Sequence, residues 1–140
     1  LLEKLAHHTR ATAFISVAQG EEAVVILVAE PEEGLLRVGY RVGSRHSLSL
    51  GAAGIAILAG RAPQPADSDA VREARALGYS LTRGQLQRGA VGVASPLATP
   101  SLPSNVEACV GVVAMEDLDT DKAPGEVMAC ARQLAELAGS

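Results

Sequence analysis

Thr12-Ala13-Phe14-Ile15-Ser16-Val17-Ala18-Gln19-Gly20-Glu21-Glu22-Ala23-Val24-Val25-Ile26-Leu27-Val28-Ala29 decides the fold class. Two runs rich in Val, Ile and Thr, Thr12 to Ala18 and Glu22 to Ala29, flank Gln19-Gly20-Glu21, whose composition suits a tight turn. That arrangement predicts a β-hairpin. Ala23 to Val28 is apolar at every position, which predicts a strand in the middle of a sheet with cover on both faces.

Upstream, Leu1, Leu2, Leu5 and Ala6 fall at helical spacing with Glu3 and Lys4 off that face, so a helix ending near Thr9 is expected. Downstream of Pro31-Glu32-Glu33-Gly34, Leu36, Val38, Tyr40 and Val42 alternate with Arg37, Gly39 and Arg41, the pattern of a third strand. Gly51 to Gly60 reads as a short helix of small residues, followed by the loop Arg61-Ala62-Pro63-Gln64-Pro65. Asp67 or Ser68 can cap the next helix, with Val71, Ala74 and Leu77 on its inner face and Gly78 as a left-handed stop. Ala90 to Leu97 and Glu107 to Glu116 are strands joined by the hairpin loop Ala98 to Asn105. A last helix from near Pro124 buries Val127, Cys130, Ala131, Leu134, Leu137 and Ala138.

Strands and helices do not alternate regularly, so the expected class is α/β in the α+β sense. The expected architecture is a central, largely antiparallel sheet with helices on both faces. No repeat or linker divides the chain, and one domain is expected over residues 1–140.

The chain has 140 residues, 48% of them hydrophobic and 2% aromatic, so Ala, Val, Leu and Ile must fill the core around Phe14, Tyr40 and Tyr79. Net charge is −4 with no run of Lys and Arg, which removes the electrostatic source of phosphate-backbone binding. The longest apolar stretch, Gly51 to Gly60, is far short of the about 20 residues that cross a bilayer. No signal peptide opens the chain, so a cytoplasmic protein with no membrane partner is expected. Leu1 already lies in a helical pattern with no initiator Met, which reads as part of a longer protein.

Nucleophilic catalysis needs a Ser or Cys beside a base, yet the three histidines are the helical pair His7 and His8 and the loop residue His46. No Gly-x-Ser-x-Gly elbow occurs, and the carboxylates gather at turns: Glu21-Glu22, Glu30 to Glu33 and Glu116 to Asp121. Cys109 and Cys130 lack metal or redox spacing and read as buried hydrophobes. Gly51-Ala52-Ala53-Gly54 lacks the third glycine and the βαβ setting of a dinucleotide loop, and the basic neighbours of a KH clamp. No catalytic residue, cofactor or metal is expected.

Val42-Gly43-Ser44-Arg45, then Leu48, then Gly51-Ala52-Ala53-Gly54-Ile55-Ala56-Ile57-Leu58-Ala59 resembles the glycine turn and small-residue helix of the IclR effector-binding domain, whose fold is similar to GAF domains. Leu77-Gly78-Tyr79-Ser80 with Gly89-Ala90-Val91-Gly92-Val93-Ala94-Ser95-Pro96-Leu97 resembles the same family's later segment. Order, spacing and total length agree, and the resemblance covers essentially the whole chain. The resemblance implies an effector-binding and oligomerising domain, a homodimer or tetramer, that controls DNA through a separate N-terminal winged-helix domain. It implies a pocket lined by Leu35, Val38, His46, Gly51, Ala52, Ala53, Gly54, Thr82, Ala90, Gly92, Val112 and Ala114. Exposed N–H groups at Ala52 and Ala53 would meet the ligand's polar end, as helix N-termini do. Where the family has a Lys the chain has Ile55, and where it has a His, Ser49. Of the polar pocket positions only Thr82 stays polar, so an apolar or aromatic effector is expected. Two alternatives stand beside this: a GAF sensor of another signalling protein, and a dimerisation domain with a collapsed pocket.

Overall fold

The computed structural model describes residues 1–31, 41–85, 88–97, 106–115 and 118–138. The chain runs α1 (Leu2–Thr9), β1 (Thr12–Gln19), β2 (Glu22–Ala29), β3 (Arg45–Ser47), α2 (Gly51–Ala59), α3 (Asp69–Leu77), β4 (Ser80–Arg83), β5 (Ala90–Leu97), β6 (Ala108–Met115) and α4 (Ala123–Ala138). Six strands form one sheet in the order β3-β2-β1-β6-β5-β4, and every pairing is antiparallel. The hairpin stands where its sequence puts it. Gln19 pairs with Glu22, and Gly20 takes φ +62°, which a residue without Cβ adopts at no steric cost.

Strand periodicity divides the core into two layers, because successive side chains point to opposite faces. Ala13, Val91, Val93, Val110, Val112 and Ala114 pack against Leu5 and Ala6 of α1 and Val127, Cys130 and Ala131 of α4. Phe14, Ala23, Val25, Ala90, Ala94, Cys109 and Val113 pack against Ala52, Ala53, Ala56 and Ile57 of α2. Helices thus cover both faces. A smaller cluster of Ile55, Ala59, Val71 and Ala74 joins α2 to α3. Helix α3 begins where Ser68 Oγ accepts the Val71 N–H and ends on Gly78 at φ +89°.

Several expectations need correction. Strand β2 lies one place in from the β3 edge, and its cover is broken in the middle: Ile26 and Leu27 are 42% and 53% exposed. Leu77 and Leu137 close their helices at 50% and 64% exposure, so neither extends the buried stripe, and Leu1 also faces solvent. Val42 is 65% exposed in a turn rather than on a strand face, and the edge strand near it is the short β3. Leu36 to Tyr40 of the expected third strand, and the expected loop Ala98 to Asn105, lie outside the described residues, and Arg41 stands in the turn, where its N–H donates to Ser44 Oγ at 3.1 Å. Strand β4 carries only four residues, too few for its alternation to stand out.

Candidate functional site

The expected site residues separate into three groups. Leu35 and Val38 lie outside the described residues. Gly51, Ala52, Ala53 and Gly54 open α2, and Thr82, Ala90 and Gly92 lie on the sheet face beneath that helix. Thr82 pairs with Gly92, and directly opposed residues share a face. A Cβ placed on Gly92 would stand 3.1 Å from the Ala52 Cβ and 3.4 Å from Thr82 Oγ1. His46 pairs with Ala23 and takes the same face at the far edge of the sheet.

Val112 and Ala114 form the third group. Both pack in the α1 and α4 layer, on the opposite side of the sheet from α2. The period of two forces this, since Cys109 and Val113 of the same strand face α2. Beneath α2, strand β6 therefore offers Gly111, Val113 and Met115, which pair with Ala94, Gly92 and Ala90.

Helix α2 opens without a polar N-cap, because Leu50 carries no accepting side chain. The first N–H groups of a helix have no acceptor within it. Gln85, beyond the end of β4, supplies one: its Oε1 accepts the Gly51 N–H at 2.8 Å. Ala52 and Ala53 are 5% and 1% exposed, so their N–H groups are interior rather than exposed as expected. Ser80 Oγ donates to the Ala52 carbonyl at 2.6 Å, tying the first turn of α2 to β4. Thr82, two residues on, points to the same face, and its hydroxyl makes no hydrogen bond to a described residue.

Sequence reasoning missed Gln85 and Ser80, and it missed a buried polar pair deeper on this face. Ser16 Oγ is fully buried without a partner among the described residues, and Ser16 pairs with Cys109 across β1 and β6. Burial pushes the Cys109 thiol up to about 12, against a small opposing pull from the Ser16 backbone. Such a thiol is a poor nucleophile. Among the described residues no three His, Cys, Asp or Glu gather as a metal site requires, and no helix is long and apolar enough to cross a membrane.

A comparison with protein-family models finds no match, and neither does one with curated proteins. Solved structures do match. A crystal structure described as an IclR transcriptional regulator from Silicibacter sp. TM1040 superposes with a TM-score of 0.85 at 21% identity, over 99% of this chain and 64% of that one. A transcriptional regulator from Rhodococcus sp. RHA1 gives 0.80 at 18% identity, over 98% and 66%. The effector domain of an IclR regulator from Acinetobacter sp. ADP1 gives 0.78 at 14% identity, over 95% and 90%. The chain thus spans just under two thirds of the first two proteins and nearly all of the excised domain. All three are described as regulators and none as an enzyme, and what this chain shares with them is the α+β fold of an IclR effector domain.

Proposed function

We propose that the chain is the effector-sensing domain of an IclR-type transcriptional regulator, and that its effector meets the start of α2. The carrying observation is the buried opening of that helix, whose Gly51 N–H is held by the protein's own amide oxygen, Gln85 Oε1. An effector carboxylate or carbonyl would take this acceptor's place, drawn by unpaired helix N–H groups and the macrodipole. Its body would lie on the small residues Ala90 and Gly92, beside the Thr82 hydroxyl. No cation stands among these residues, so a largely apolar or aromatic molecule with one polar end fits better than a short diacid. Leu35, Val38 and His46 belong to the proposed lining; Val112 and Ala114 do not.

The rest of the reading follows the regulator fold: a homodimer or tetramer in the cytoplasm, acting on DNA through a winged-helix domain outside residues 1–140. Occupancy changes output only if it favours one arrangement of a coupled element, and α1, packed on α4, is the element proposed for that role. One observation favours the alternative of a collapsed pocket: Ala52 stands so close to Gly92 that even a methyl there would be tight. A thermal-shift screen against aromatic acids, lactones and short-chain metabolites decides between them, because a ligand of the native state raises apparent stability. Stabilisation by an aromatic or aliphatic monoacid supports sensing, and no stabilisation by any compound supports the collapsed pocket.

A further inference from the structure

On the other face of the sheet, the end of α1 and the segment entering α4 border an open cavity of about 350 Å³ lined by His8, Thr9, Arg10, Leu118, Asp119, Lys122 and Ala123. Small-molecule sites begin at about this size. Of the titratable groups among its described lining residues, three are basic and one is acidic. The acid is turned to the backbone through one oxygen: Asp119 Oδ1 accepts the N–H groups of Asp121 at 3.0 Å and Lys122 at 3.2 Å, capping the approach to α4. His8 Nδ1 stands 3.6 Å from Glu126 Oε2. Arg10 and Lys122 form no ion pair with any described residue, although the chain carries four more acidic than basic charges.

Helix dipoles account for only one of these two cations. Arg10 follows the negative end of α1, where a cation is favourable. Lys122 precedes the positive end of α4, where it is not, and yet it lines the same cavity. Arg10 is also the sole described non-glycine residue with positive φ, at +55° in the left-handed cap of α1. Gly or Asn usually takes that position, and neither would bring a guanidinium to the cavity. Non-glycine residues held there are concentrated at ligand sites.

We propose that this cavity binds a small oxyanion, a phosphate or a carboxylate, between Arg10 and Lys122 with His8 at its side. A guanidinium and an ammonium on one concave surface suit such a group, Arg by its planar fork and Lys as a point charge. The bound anion bridges α1 to α4. The site is separate from the start of α2 and stands whether or not an effector binds there.

Amide NMR of the labelled chain, titrated at constant ionic strength with inorganic phosphate in one arm and acetate in the other, tests this. The expected result is saturable shifts at Thr9, Arg10, Lys122 and Ala123 in at least one arm, the stronger arm naming the anion. The variant Arg10→Gly with Lys122→Gln weakens that binding at least tenfold. It leaves the melting temperature unlowered, since Gly suits φ +55° better than Arg. Shifts that fail to saturate in both arms, that centre on Gly51 to Ala53, or that persist unchanged in the variant overturn the proposal.

Discussion

Gln85 Oε1 lies 2.8 Å from the Gly51 nitrogen, so a side chain 34 residues downstream closes the start of α2. If an effector's polar end takes the same N–H, Gln85 stabilises the empty protein and competes with the ligand. Gln85→Ala should then lower stability by about 0.5–2 kcal/mol, the range for a lost N-cap. It should also enlarge the rise in melting temperature produced by a stabilising monoacid. Thermal melts with and without the acid check both. A smaller rise in the variant would show that Gln85 helps to hold the ligand.

Two glycines should respond oppositely to a methyl group. A Cβ on Gly111 would sit 2.5 Å from the Val93 carbonyl oxygen and 2.8 Å from both Ala94 Cβ and Phe14 Cζ, and the backbone contact cannot yield cheaply. Gly111→Ala should cost about 1–3 kcal/mol or more by overpacking. Around Gly125, in the first turn of α4, nothing lies within 4 Å. Gly125→Ala should therefore stabilise the chain by up to about 1 kcal/mol. Denaturant melts of the two variants provide the comparison.

The hairpin, the small-residue helix and both long strands near the C-terminus were legible because each carries a strong period or a firm turn signal. β3 and β4 were not, having three and four residues. Alternation in β6 showed that Val112 and Ala114 share a face, but not which helix layer that face meets. Only packing against Val127 and Cys130 settles that. Gln85 was invisible because nothing local ties it to Gly51, and Leu77 and Leu137 kept the helical period past the point where their helices still meet the core.

Arg75 joins α3 to the end of α2, donating to Ala59, Leu58 and Arg61 carbonyls and, at 3.0 Å, to Asp67. The Gln64 N–H, with Arg75 behind it, holds the Asp67 carboxyl below its usual 3.8 despite an opposing effect of burial. A lowered folded-state pKa contributes stability that is present above the unfolded value and lost as pH falls through the folded one. The melting-temperature gap between the protein and Asp67→Asn should hold steady from neutral pH to about 5 and narrow below about 4. A gap unchanged in strong acid would contradict this.

Cys109 works in the alkaline direction. Its thiol ionises near 9.0 when unfolded and at about 12 when folded, so the contribution is complete below 9.0 and lost as pH rises toward 12. Each pH unit in that window costs about 1.4 kcal/mol at most. Stability of Cys109→Ala should fall less steeply over this range than that of the unaltered protein, as chemical denaturation at stepped pH will measure. Parallel slopes would mean that the thiol reaches water in the native state.

The central claim is that an effector's polar end binds at the start of α2, beneath which Thr82 and Gly92 lie. Titrating the labelled chain with benzoate and hexanoate and following every amide resonance tests it most directly. The account predicts saturable shifts that are largest at Gly51, Ala52, Ala53, Thr82 and Gly92 for at least one of the two acids. Saturable shifts confined to the α4 side, around Val127 and Ala131, or no saturable shift with either acid, would contradict it.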